Sequence, residues 1–147
     1  MTDLRDFANR LKGINLKYIL NDSVMETKDS LLGENKMQLL FGEAVDGSDL
    51  GYYEDPEYAK FKANHTSQYH APYGVYNFDL YGDFQDSMYI SPALIGFDIG
   101  SKNSKEKKLE KLACGSSRVF GLNKNSDYPT EILKPVLLRR IRSHLGI

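Results

Sequence analysis

The stretch Met88-Tyr-Ile-Ser-Pro-Ala-Leu-Ile-Gly-Phe-Asp-Ile-Gly100 constrains this chain most, because its apolar residues fall two apart on both sides of a Ser91-Pro92 break. A period of two puts alternate side chains on opposite faces of a strand. Two such arms with a break between them define a β-hairpin, spanning about residues 86–100. Met88 and Ile90 share one face of the first arm; Ile95, Phe97 and Ile99 share one face of the second, with Gly96 and Asp98 opposite. Pro92 has no N–H to give a ladder, so it belongs at the turn or at the end of a strand.

Helical periods flank the hairpin. Leu4, Phe7, Ala8 and Leu11 recur at three and four residues between Thr2, a capping residue, and Gly13. Leu16, Ile19, Leu20, Val24 and Leu31 continue a helical period to Gly33, with Asn21-Asp22-Ser23 as a rival cap that would split the segment. Met37, Leu40 and Phe41 fit a further one or two turns before Gly42. A short helix is expected from Lys105 to Leu112, ending at Gly115, with Leu109, Leu112 and Ala113 inward; Arg118 to Leu122 reads as an apolar anchor in a loop. The last element begins near Asp127 or Thr130 and carries Ile132, Leu133, Val136, Leu137, Leu138, Ile141 and Leu145, and Pro135 predicts a kink or restart in it. The fold class is α+β: N-terminal helices, a small antiparallel sheet built on the central hairpin, a long Tyr-rich loop and a Pro-kinked C-terminal helix. At 147 residues the chain suits one domain with a single core, divided into a helical segment over residues 1–43, a loop over 44–74, a hairpin region over 75–100 and a basic segment over 101–147.

The loop from Ala44 to Tyr73 has no period. It carries Asp-Gly and Asp-Pro pairs, with room for one turn of helix near Pro56 to Lys62. Eight of the ten tyrosines, Tyr52, Tyr53, Tyr58, Tyr69, Tyr73, Tyr76, Tyr81 and Tyr89, lie in it and at the start of the hairpin region. A tyrosine buries a ring and keeps a hydroxyl for a partner, which favours it at protein interfaces. The same rings can also roof the domain's own core. Tyr52, Tyr53, Tyr58, Tyr69 and Tyr73 are the candidates for an interface.

Charge is divided along the chain. Residues 1–100 hold 8 Lys+Arg against 16 Asp+Glu, a balance of −8, and residues 101–147 hold 11 against 4, a balance of +7. Such a split predicts either a partner surface of opposite sign or neutralisation within the fold. Lys105, Lys107, Lys108, Arg139, Arg140 and Arg142 are the basic candidates for a contact with protein or, alternatively, with nucleic-acid phosphates. No RNP-like, zinc-finger or helix-turn-helix signature accompanies them.

Catalytic and metal-binding motifs are weak. His65 and His70 have neither a paired spacing nor a cysteine partner, so they make a poor metal site. Asp46, Ser48, Gly51 and Glu57 echo positions of a calcium-binding loop, but Leu50 stands where an oxygen ligand is needed and Pro56 precedes the glutamate. A turn accounts for them better. Ser87, His70 and Asp83 lack a nucleophile elbow, and no Gly-rich phosphate loop is present. Cys114, the one cysteine, reads as a packed thiol, and its solitude with the want of an apolar leader predicts intracellular assembly without disulfides. No apolar run approaches the roughly 20 residues that span a bilayer. Catalytic residues, cofactors and metals are all expected to be absent.

A further pattern runs through Gln38-Leu39, through Asp46-Gly47-Ser48-Asp49-Leu50-Gly51-Tyr52-Tyr53, and through Asp79 to Ile90 with its Leu80-Tyr81-Gly82-Asp83-Phe84-Gln85-Asp86-Ser87 core. It resembles a family of tailed-bacteriophage virion proteins of the head-to-tail (neck) or tail-completion region, as in phages of Bacteroides-like hosts. Phe120-Gly121-Leu122 and the terminal helix with Pro135 extend the resemblance to about residues 36–145. The resemblance implies a structural, non-enzymatic subunit present in several copies as a ring, assembled in the bacterial cytoplasm into the virion beside portal, neck or tail proteins. This chain departs from that family in its longer, Tyr-rich loop between Tyr53 and Val75, where relatives carry Ser-Pro and basic residues.

Overall fold

A computed structural model of the chain describes residues 3–65, 71–78, 82–94, 96–113 and 115–147. Thr2, Tyr69, His70, Asp79, Leu80, Tyr81, Ile95 and Cys114, named above, lie outside the described residues, as does the side chain of Leu112. Among the described residues are seven helices and one two-stranded antiparallel sheet, so the class is α+β. The helices are α1 (Leu4–Lys12), α2 (Leu16–Leu40), α3 (Pro56–His65), α4 (Asp83–Asp86), α5 (Glu106–Leu112), α6 (Ser116–Val119) and α7 (Tyr128–Leu145); the strands are β1 (Met88–Pro92) and β2 (Phe97–Ser101).

The hairpin is present, with β1 and β2 antiparallel and the turn after Pro92. Ile90 faces Ile99, and Pro92 ends β1 opposite Phe97, where its missing N–H removes nothing from the interior of the ladder. Gly96 takes a positive φ in the turn, and Ala93 N–H donates to its carbonyl. Met88 and Ile90 are buried, while Tyr89 on the other face is exposed and lies against Gly100, where a Cβ would stand 2.9 Å from the phenol oxygen. The dry face is less uniform than its spacing predicts, since Phe97 and Ile99 are only half-buried. Two strands alone are marginal in water. The hairpin stands because β1 lies on α2.

That helix, not the hairpin, is the element on which the fold is arranged. At 25 residues it passes straight through both points where the sequence pattern breaks. Ser23 does not cap a second segment: its hydroxyl donates to the Ile19 carbonyl at 2.7 Å, and Thr27 does the same to Ser23 at 2.9 Å. A short polar side chain that bonds one turn back is compatible with an unbroken helix. Gly33 lies inside the helix, and a Cβ there would meet nothing within 4 Å. The buried residues of α2, from Ile19, Val24 and Leu31 to Asn35, Gln38 and Leu39, recur at three and four residues along one broad face, with Met25, Glu26 and Asp29 exposed on the other. α2 packs against both β1 and α7, which makes it the central strut.

Two apolar clusters line this strut. Val24, Leu31 and Ile90 form one, with Phe97, Leu122 and Leu133 against it; Leu39, Ala44, Leu50, Tyr76, Phe78, Phe84, Met88, Ala113 and Val119 form the other. Leu32 and Ile99 touch both, so the core is continuous.

Residues 50–53 of the long loop are tied to the chain on either side of it. Leu50 N–H donates to Gly42 O at 2.8 Å, Tyr53 N–H to Gly74 O at 2.8 Å and Tyr76 N–H to Gly51 O at 2.9 Å, and an isolated bridge pairs Tyr52 with Val75. The turn of helix expected near Pro56 is the ten-residue α3. Of the two outcomes expected at Pro135, no restart occurs: the proline lies within one continuous helix, α7. α1 has Asp3 at its N-cap and an apolar face of Leu4, Phe7, Ala8 and Leu11, yet none of its residues is buried. It rests on the end of α7, where Arg10 Nη1 donates to the Leu145 carbonyl at 3.1 Å.

Candidate functional site

The C-terminal end of α2 carries a buckle that joins distant segments. Asn35 Nδ2 donates to the carbonyls of Val119 (3.1 Å) and Gly121 (2.7 Å), Gln38 Nε2 donates to Gly121 O (3.2 Å), and Gln38 Oε1 accepts from Asn123 N–H (2.8 Å). Val45 N–H donates to Arg118 O, and Lys124 N–H to Val45 O. Arg118 closes the assembly, giving Nη2 to Asp49 O at 2.7 Å and Nη1 to Ala113 O at 3.1 Å. Gly121 has a φ of 138°, and a Cβ there would approach Val45 to 3.2 Å. Gln38-Leu39, the Asp46–Tyr53 loop and Phe120-Gly121-Leu122 are therefore fastened to one another, though they are scattered in sequence. Asp46 serves the same region by closing a turn: its carboxylate accepts from the Ser48 hydroxyl and N–H, and those bonds hold its pKa below the ordinary value.

Beside the buckle opens a cleft of about 600 Å³. Its apolar wall consists of Tyr53, Tyr58, Tyr76, Phe78, Phe84 and Leu109, and its charged members are Glu54, Asp55, Lys62, Asp83, Lys105 and Lys108. The wall belongs to a run of eight rings that leads from core to surface. Phe120, Phe84, Phe78, Tyr76 and Tyr53 follow one another with centroids 4.7–6.1 Å apart, and Tyr58, Phe61 and His65 continue it along α3 at 5.2, 6.0 and 4.2 Å. Offset and edge-to-face pairs of this kind hold one another's orientation beyond what area burial alone gives. At the rim, Lys105 Nζ stands 3.1 Å from the Asp83 carboxylate, which also accepts from Asn103 at 3.3 Å; both partners hold the Asp83 pKa below its usual value.

The predicted interface residues are not gathered at one place. Tyr53 and Tyr58 meet in the cleft, with Lys105 and Lys108. Tyr52 is exposed and gives its hydroxyl to the Asp49 carboxylate, whose hydrogen bond and charge raise the phenol's pKa; Tyr73 is exposed at 65%. Lys107 is exposed on α5 and Arg142 on α7. Arg139 and Arg140 are committed inside the fold. Arg139 pairs with Glu26, while Arg140 reaches Asp22 at 3.1 Å and Glu26 at 2.8 Å. The charge split is thus partly neutralised within the chain, by Arg139 and Arg140 between α7 and α2 and by Lys105 against Asp83 of α4. Sequence reasoning missed the Asn35–Gln38 buckle and the contribution of Phe78 and Phe84 to the cleft. The spacing of Gln38 from its partners leaves no local signal, whereas the aromatic density of 73–84 was one.

No protein-family model, curated protein or solved structure matches this chain. Among the described residues no helix is long and apolar enough to cross a membrane, and no group of three or more His, Cys, Asp or Glu is placed to hold a metal ion.

Proposed function

We propose that this chain is a structural virion protein of a tailed bacteriophage, forming or joining a multi-subunit ring at the head–tail connector, the neck or the tail-completion region. The observation that carries the reading is the buckle. Three of the segments by which the chain resembles that family, Gln38-Leu39, Asp46–Tyr53 and Phe120–Leu122, are joined by Asn35, Gln38 and Arg118 into a brace around the end of α2, with buried amides donating to backbone carbonyls. Such an arrangement supports a rigid body and leaves its conspicuous residues engaged in holding shape, which is what an assembly subunit requires. The partners in this reading are further copies of the chain and the portal, neck or tail proteins next to them.

The alternative, an accessory protein that binds nucleic acid through residues 101–147, is less well supported. Phosphate binding needs free cations, and Arg139, Arg140 and Lys105 already face carboxylates. Electron micrographs of purified particles from the genome that encodes the chain, labelled with an antibody against it, test the reading. Label at the head–tail junction is expected; particles that lack the chain would overturn it.

A further inference from the structure

We infer that α1 is a membrane-surface helix, lying flat on an anionic lipid bilayer with its apolar stripe at the acyl boundary and a basic margin at the headgroup phosphates. The inference goes beyond the virion reading and stands or falls without it. No spanning segment is involved, because a helix that rests in the interface needs one apolar side and not a run of about 20 apolar residues.

α1 has the sequence of a packed amphipathic helix but buries nothing. None of its nine residues is buried: Leu4 is 84% exposed and Leu11 49%, and Phe7 is half-buried. At about 100° per residue, Leu4, Ala8 and Leu11 fall on one side of the helix and form a stripe open to solvent. Arg10 donates to the Leu145 carbonyl at the end of α7, which holds that stripe in one orientation. A helix already folded and held avoids much of the ordering cost of association. Apolar exposure continues past residues 13–15 into the start of α2, where Leu16 is 62% and Tyr18 60% exposed, with Lys17 between them.

The charges of the helix suit a negative surface. Arg5 and Lys12, seven residues apart, lie along one margin of the stripe, about 80–100° from Leu4, whereas Asp6 lies about 160° from it, on the far side. Both cations are exposed, and neither meets a carboxylate among the described residues. Long basic side chains at the margin of an apolar face lay their stems along it and carry the charge outward to phosphates.

The same charges disfavour the stripe of a second copy as its cover. Two α1 helices paired antiparallel about a two-fold axis bring the same margin of each together, so Arg5 and Lys12 of one copy would stand against Lys12 and Arg5 of the next, a like-charge juxtaposition. A parallel pair would need the opposite margin, that of Arg10, which is bound to the end of α7. Nucleic acid offers phosphates but no apolar layer for Leu4 and Leu11. A bilayer interface offers both.

Co-sedimentation of the full chain with phosphatidylcholine vesicles, with and without phosphatidylglycerol, tests the assignment. The chain has no tryptophan, so Leu4→Trp puts a single fluorescent reporter on the stripe. The parent is expected to bind the anionic vesicles about tenfold more tightly than the neutral ones or better, and to lose that preference in high salt. Emission of the Leu4→Trp variant is expected to shift to shorter wavelength on the anionic vesicles. Leu4→Asp with Leu11→Asp, and separately Arg5→Glu with Lys12→Glu, alter only exposed positions of α1. Each pair is expected to weaken binding about tenfold or more, with an unchanged far-ultraviolet circular dichroism spectrum. A parent that ignores anionic vesicles, equal binding to both vesicle types, an unshifted tryptophan emission, or variants that bind as the parent does each overturns the assignment. Self-association that Leu4→Asp with Leu11→Asp abolishes in sedimentation velocity, without vesicle binding, gives the stripe to a second copy instead. None of these outcomes bears on antibody label at the head–tail junction, so the two readings fail separately.

Discussion

Asn35 is fully buried, and its amide nitrogen serves two carbonyls 84 and 86 residues further along the chain. Removing it leaves the Val119 carbonyl without this donor and opens a void, so Asn35→Ala should lower stability by about 1–3 kcal/mol in urea unfolding. Gln38→Ala should also destabilise. Because both amides donate to Gly121 O, the double variant is expected to depart from additivity by about 0.5 kcal/mol or more. Additive losses would mean that the two act on separate parts of the structure. Gln38 was visible in the sequence as a member of a pattern, but its task was not, because nothing local to a helix end specifies which distant backbone an amide will bind. The tyrosines divide along similar lines. Tyr76 is buried and Tyr53 half-buried in the ring run, whereas Tyr52 and Tyr73 remain outside, a distinction that depends on the loop's path and not on residue type.

α2 shows how far periodicity carries an element and where it stops. Apolar spacing located the helix, and two local breakers, Asn21-Asp22-Ser23 and Gly33, argued for dividing it. Both arguments concern alternatives open to an isolated segment; burial against β1 and α7 outweighs them. Since Gly33 lies in mid-helix with open space where a Cβ would stand, Gly33→Ala is expected to stabilise the protein by about 1 kcal/mol, read as a raised denaturation midpoint. The α2–α7 contact has its own signature. Arg139 foremost, and Arg140, hold the Glu26 carboxyl below its ordinary value of 4.5. A carboxyl depressed in the folded state contributes stability that is present above its unfolded pKa and is lost as pH falls through the folded one. Stability should therefore decline in acid, below about pH 4.5, and Glu26→Gln should flatten that portion of the profile measured by urea midpoints. An identical profile for the variant would show that the pair is idle. The hairpin, by contrast, was legible almost to the residue, because a period of two and a proline at a strand end leave few alternatives.

For the molecule as a whole, the loop from Ala44 to Tyr53 belongs to the brace. Its freedom from regular structure in the sequence predicts rapid amide exchange, and the hydrogen bonds of Leu50, Tyr53 and Tyr76 predict the contrary. In exchange experiments on the isolated chain these amides should be slower than those of α1, which has no buried residue. Equal rates would mean that the brace opens without its neighbours. The α+β class was readable from the period of the apolar residues; the cleft was not, since it gathers Tyr58, Phe78, Phe84 and Leu109 from parts of the chain that only the closed fold brings together. The buckle also bears on how the protein is made. As synthesis proceeds, Asn35 and Gln38 emerge long before the carbonyls they are to hold, and Leu39 before Val119. Contacts so distant in sequence must wait for loop closure and slow the search for the native state. Until about residue 123 has left the ribosome, the C-terminal half of α2 is an apolar helix with exposed amides and no completed brace, a state that invites chaperones or aggregation. Nascent chains halted before Gly121 should accordingly be found in the insoluble fraction, with a sharp gain in solubility as the stopping point passes Asn123.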